Sequence, residues 1–170
     1  MKHCPECGAP LTEKELEHEG LVPFCPVCGE YRFPMYNVAV SMIVVNEQNQ
    51  KTLLVQQYGK HFYRLVAGYV NRTETLEHAA ARELKEETGM TARRIVFNRT
   101  RFYEPSNTQM CNFAVFVKDD SELNPNWEID SWSWFSFEEA RDALREAKLA
   151  SWFMNSWLDG GDPLAESGQD

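Results

Sequence analysis

The chain of 170 residues has no uninterrupted apolar run approaching the ~20 residues that a membrane span requires. Its start, Met1-Lys2-His3-Cys4-Pro5, also lacks the apolar stretch of a secretory leader, so the cytoplasm is the expected compartment. Positive charge is short as well: 17 basic residues face 26 acidic ones, a formal net charge of −9. That balance repels polyanions at long range, which disfavours long nucleic acid and anionic membranes as partners. It also means that an anionic substrate needs a bound cation. The length excludes two large domains and suits one domain with a small module.

Cysteine is sparse but patterned. Of five, four fall in Cys4-Pro5-Glu6-Cys7-Gly8 and Cys25-Pro26-Val27-Cys28-Gly29, and Cys111 stands alone. An odd count in a cytoplasmic chain fits a metal site better than a disulfide framework. Each pair followed by glycine forms a tight knuckle that turns two thiolates toward one cation, and two knuckles complete a tetrahedron. Zn2+ suits four thiolates, and with all positions filled by protein such a site is structural. Reduced, unmetallated thiols are the bland alternative. A nucleic-acid-binding ribbon is disfavoured: over residues 1–30 only Lys2 and Lys14 oppose Glu6, Glu13, Glu15, Glu17, Glu19 and Glu30. The expected organisation is a zinc ribbon over 1–33, a main domain over 34–158 and a flexible tail over 159–170.

Strand-like runs are expected at Val38–Val45, Thr52–Gln56, Tyr63–Ala67, Ile95–Tyr103 and Gln109–Val117, with an alternating strand over Trp127–Phe135. Helices are expected over Thr75–Thr88, ended by Gly89, and over Phe137–Leu149. Trp132, Trp134, Trp152, Phe153 and Trp157 read as core or dimer-contact aromatics, and Cys111 as a buried small residue. His61, just before the Tyr63–Ala67 run, is the one histidine singled out.

In the first helix, Leu76, Ala80, Glu83 and Glu87 share a stripe, with Glu86 about 60° to the side. An i,i+4 pair of carboxylates near a helix C-terminus is opposed both by mutual repulsion and by the macrodipole. A hard divalent cation reverses that sign, since Mg2+ and Mn2+ prefer carboxylate oxygens. A solvated acidic face, partly neutralised by Arg82 and Lys85, stands beside that reading.

Gly68, then five residues, Glu74, seven residues, and Arg82-Glu83-Leu84-Lys85-Glu86-Glu87-Thr88-Gly89-Met90 fill every fixed position of a 23-residue loop-helix-loop signature. On these residues the chain resembles the Nudix hydrolases. The resemblance implies an α/β/α sandwich with a mixed sheet, and cleavage of a nucleoside diphosphate linked to another moiety. It implies Mg2+ or Mn2+ held by Glu83, Glu86 and Glu87 with the Gly68 carbonyl, and Glu74 and Arg82 bracing the loop. Glu87 is the first choice for general base, then Glu86, with Glu83 the third carboxylate of the catalytic set.

A four-cysteine ribbon before such a domain, together with Leu65-Val66-Ala67-Gly68-Tyr69-Val70, is similar to the NADH pyrophosphatase branch. That similarity implies an NAD(H)-like substrate, Tyr69 stacking on adenine, Glu128 joining the metal site, and a homodimer. The branch's specificity motif is not matched over Thr100–Met110, and Asn71 replaces a glutamate common there. Pro105, fifteen residues past the signature, resembles ADP-ribose pyrophosphatases, so ADP-ribose or a nucleotide sugar is the alternative substrate. The alternative of another class is a non-catalytic nucleotide-binding sensor.

Overall fold

The computed structural model describes residues 2–160. Two compact units divide the chain between Tyr36 and Asn37. Apart from Asp159 and Gly160, the expected tail lies outside the described residues.

The first unit is a three-stranded antiparallel sheet of β1 (Thr12–Leu16), β2 (Gly20–Cys25) and β3 (Glu30–Tyr31), in that order. Glu13 and Glu15 share a face of β1, opposite Pro23 and Leu21, while Glu17 and Glu19 fall in the turn to β2. On the other face Lys14 lies 4.3 Å from the centre of the Phe24 ring, which shields the small apolar surface this sheet has.

The second unit is a mixed six-stranded sheet between helices, the expected α/β/α sandwich. Its strands are β4 (Asn37–Asn46), β5 (Thr52–Gln57), β6 (Val66–Tyr69), β7 (Arg94–Tyr103), β8 (Thr108–Val117) and β9 (Ile129–Phe135). The order is β7-β8-β4-β5-β9, with β6 also on β4. β4 runs parallel to β8, and the other pairings are antiparallel. β4 forks: Ala39–Met42 pair with β6, whereas Val44 and Val45 pair with β5.

β4 reads as a continuous apolar run because both its faces are covered. Val40, Met42 and Val44 pack with Ala79, Ala80 and Leu84 of α1 (Leu76–Thr88). Ile43 and Val45 pack on the other side with Ala140 of α2 (Phe137–Ala143), Leu144, and Phe153 and Met154 of α3 (Lys148–Asp159). A buried polar chain fixes the central register: Asn112 donates to Ser41 Oγ at 2.7 Å, and Asn98 donates to Asn112 at 2.9 Å and to the Phe153 carbonyl at 3.0 Å. Asn98 is the extra residue where the β7–β8 register shifts between Phe97 and Arg99.

One expectation is corrected. The single helix over 137–149 is two helices, because the chain turns at Leu144–Ala147 to bury Leu144 completely, with neither glycine nor proline to announce the break. α3 was therefore not foreseen as an element. Trp132, on the same face of β9 as Trp134, is 45% exposed, whereas Phe153 is buried in the core. Cys111 is buried within β8 as expected. Among the described residues no helix is long and apolar enough to cross a membrane.

Candidate active site and cysteine centre

Local sequence sets the position of α1. The Thr75 side chain caps its start by accepting from the His78 N–H, and Gly89, with φ 74°, ends it by donating to the Lys85 carbonyl at 3.0 Å. Beyond the end, the N–H groups of Asn124 and Asn126 donate to the carbonyls of Thr88 and Glu87, each at 2.8 Å. Asn126 Oδ1 then accepts from the N–H of Glu128 at 2.9 Å. The loop that completes the helix terminus thus delivers Glu128 to the same side as Glu87.

Arg82 is the hub of the loop-helix junction. Its Nε and Nη2 grip Glu74 at 2.8 and 2.9 Å, Nη1 donates to Glu83 at 2.7 Å and to Glu86 at 3.1 Å, and Nη2 also reaches the Tyr69 carbonyl at 3.0 Å. The guanidinium, helped by the Asn71 N–H, holds the Glu74 carboxyl down at about 2. Glu74 is therefore an ionised strut, in line with a bracing role.

Gly68 lies on β6 opposite Val40, directly beneath Glu83. A Cβ at position 68 falls 1.9 Å from Glu83 Cδ, so a side chain is sterically excluded while Glu83 keeps this conformation. Gly68→Ala is expected to swing Glu83 aside and lower kcat/KM by about 100-fold, with an unchanged circular dichroism spectrum. A rate near wild type would show that the close approach carries no function.

The carboxylates differ in environment. Glu87 is 3% exposed and accepts from Gln57 Nε2 at 2.7 Å. Burial, then the charges of Glu128 and Glu83, push its pKa up to about 8. Burial raises Glu83 too, against the pull of Arg82. Glu86 is largely exposed. Glu128 accepts from the Tyr58 hydroxyl. Gly68, Tyr69, Glu83, Glu87 and Glu128 line one cavity of about 500 Å³. Glu86 is not on its wall, and neither is His61. Tyr69 is 58% exposed. Pro105 is the middle residue of a 3₁₀ turn, Glu104–Ser106, whose last residue reaches the wall.

A second cavity of about 490 Å³ adjoins the first and shares Ala67, Tyr103, Met110 and Leu149 with it. Its origin is legible on β4: after the bulky Ile43 and Val45, the same face carries the small Ser41 and Ala39, and opposite Ser41 stands Ala67. Arg64 and Lys148 lie on its walls. Sequence reasoning missed Gln57 and Tyr58. Gln57, a polar residue ending an apolar strand, was the available signal.

A carboxyl whose ionisation is opposed by burial and then by like charges, beside two further carboxylates and a bare glycine backbone, gains from a hard divalent cation, which lets all three groups ionise together. These residues fit a divalent metal ion on those grounds.

In the first unit the two knuckles repeat one geometry. Gly8 and Gly29, both at φ 73°, donate to the carbonyls of Cys4 and Cys25 at 2.9 Å. The sulfurs of Cys4, Cys7, Cys25 and Cys28 all lie within 4.8 Å of one another, with Cys7–Cys25 at 3.5 Å and Cys4–Cys28 at 3.9 Å. A tetrahedron with ~2.3 Å zinc–sulfur arms has edges of about 3.8 Å. The Cys7 N–H, then Arg32 donating to the sulfur at 3.4 Å, lower the Cys4 thiol to about 6. Cys28, facing the sulfurs of Cys7 and Cys25, is pushed up to about 12. Four sulfurs this close cannot all ionise without a cation, and the cluster is compatible with Zn2+. Among the described residues it is the one such group with its ligand atoms already gathered.

The NUDIX domain model matches residues 35–153. Among curated relatives, the NAD-capped RNA hydrolase NudC of Vibrio cholerae is 32% identical over 143 residues, covering 81% of this chain and 50% of the relative. The NAD-capped RNA hydrolase NUDT12 of Macaca fascicularis is 26% identical over 161 residues, covering 90% of this chain and 35% of the relative. The chain thus spans about half the length, or less, of these relatives. Among solved structures, a NUDIX hydrolase from Nitrosomonas europaea superposes with a TM-score of 0.63 at 22% identity, covering 96% of this chain and 95% of that one. A C. elegans Ap4A hydrolase follows at 0.58 and 22%, covering 72% and 99%.

Proposed function

Since the chain belongs to the Nudix family, we propose that it hydrolyses the pyrophosphate of a nucleoside diphosphate linked to another moiety, foremost an NAD(H)-like dinucleotide. The observation that carries this is the acidic cavity bearing Gly68, Glu83, Glu87 and Glu128, joined to a second cavity of similar size. Two nucleotide halves need two seats on either side of a cation-binding middle. Tyr69, exposed on the cavity wall, offers a ring face for adenine.

Glu83, Glu86, Glu87, Glu128 and the Gly68 carbonyl are the proposed ligands of Mg2+ or Mn2+. Bound there, the cation neutralises the pyrophosphate and makes water a stronger acid. Glu87, buried and held by Gln57, is the proposed base that takes the proton from the attacking water, with Glu86 second. Arg82 keeps Glu83 oriented and Glu74 braces the turn, so neither needs to touch substrate. Zn2+ in the four-cysteine cluster is structural. The protein acts as a cytoplasmic homodimer, and its net charge favours free dinucleotides over NAD-capped RNA. Pro105 beside the cavity favours ADP-ribose or a nucleotide sugar as the second reading.

A panel of NADH, NAD, ADP-ribose, diadenosine polyphosphates and NAD-capped RNA, with Mg2+ or Mn2+, tests the proposal. The expected result is fastest cleavage of NADH to AMP and reduced nicotinamide mononucleotide. Tight nucleotide binding without hydrolysis of any member would replace the enzyme by a sensor.

A further inference from the structure

The end of β5 has an unusual backbone. The register with β9 shifts between Gln56 and Gln57, and Tyr58 and Gly59 follow with left-handed φ of 57° and 67°. A bulky aromatic there is strained. The Tyr58 side chain is not held by burial, since the residue is 59% exposed. The corner is fixed by the Gly59 N–H, which donates to Asp130 Oδ2 at 2.7 Å. The Tyr58 hydroxyl donates to Glu128 Oε2, and the preceding residue, Gln57, donates to Glu87 Oε2 at 2.7 Å. Consecutive side chains from one bulge thus hold two carboxylates that reach the cavity from different elements. Those carboxylates repel each other, and the charge of Glu128 is among the causes that lift Glu87.

We propose that Tyr58 is a positioning residue for Glu128: its phenol occupies Oε2, fixes the carboxylate against Glu87, and leaves Oε1 for the divalent cation. An exposed, strained tyrosine serves no packing need at this corner, whereas a mobile Glu128 in the cavity needs a donor. The inference rests on Glu128 as a metal ligand, the reading given above.

The test is Mn2+ binding to the full chain with its zinc in place, followed by paramagnetic resonance of free Mn2+ and by calorimetry. Tyr58→Phe is expected to weaken Mn2+ about 10-fold, in the range usual for loss of a group that orients a ligand. Glu128→Ala weakens it at least as much, and the double variant matches Glu128→Ala alone, as coupled residues require. In turnover, Tyr58→Phe raises the Mn2+ concentration for half-activation but changes kcat at saturating Mn2+ by less than about threefold. Tyr58→Gly relieves the backbone, so it is expected to melt higher while losing the same affinity, which separates positioning from stability. If Glu128→Ala leaves Mn2+ binding intact, Glu128 is no ligand and the reading beneath the inference fails. If Glu128→Ala weakens binding but Tyr58→Phe does not, or the two effects add, the positioning role is overturned.

Discussion

Glu87→Gln is expected to lower turnover by about 100-fold or more, the range for loss of the general base proposed above, and yet to yield a protein that melts higher than wild type at alkaline pH. Both effects come from one carboxyl. Glu87 is buried among like charges and its pKa rises from 4.5 to about 8. The folded state therefore binds this proton more tightly than the unfolded chain does. The cost of ionising Glu87 is absent below about pH 4.5, grows as pH rises, and is complete above about 8. Glutamine cannot ionise and still accepts from Gln57. One pKa unit is about 1.4 kcal/mol, so even a third of the shift contributes about 1.5 kcal/mol. In buffer without added divalent cation, the variant should melt about 3 °C or more above wild type at pH 8.5, and the two should converge near pH 4.5. Unchanged turnover removes Glu87 from the mechanism; a lower melting point at pH 8.5 removes the electrostatic account of its burial.

Cys4→Ser has the second large effect, on the other unit. Structural zinc contributes on the order of 10 kcal/mol to folding of small domains that cannot bury a core. The first unit has such a shortage: Cys4, Val22 and Cys25 are its buried apolar residues among those described. Loss of one thiolate also leaves Arg32 without the sulfur at 3.4 Å. Bound zinc is expected to fall from about one per chain to below about 0.1, measured by elemental analysis. Protease should then cut within residues 2–36 under conditions where wild type is protected. The metal-dependent chemistry of the second unit is expected to persist. Abolished chemistry in a variant whose second unit stays folded contradicts a purely structural ribbon.

How much was legible follows from the range of the forces involved. α1 was readable to within a residue because its signals are local: Thr75 before it, Gly89 after it, apolar spacing between. Gly68 and Glu83 were paired by motif spacing, and the 1.9 Å approach gives the physical reason glycine stands there. The break between α2 and α3 was illegible, because tertiary burial of Leu144 makes it and Leu144 is itself a good helix former. Tyr58 was illegible for a related reason. Its role exists only where a bulge aligns it with a residue 70 positions away in sequence, on a loop whose position depends on the end of α1. Glu128 was found through resemblance; its spacing to α1 carries no local signal.

The parallel ladder between β4 and β8 has a kinetic consequence. Asn37 pairs with Thr108 and Ser41 with Asn112, contacts separated by 71 residues, and the buried Asn112–Ser41 bond forms only when that ladder is in register. Closing so long a loop costs entropy before any contact repays it. The helix bearing Glu83 and Glu87 has the caps to form early, but the sheet beneath it cannot be completed until Thr108–Val117 arrive. Refolding of the second unit is thus expected to end on a late step, in which the acidic helix has no floor under it until β8 seats.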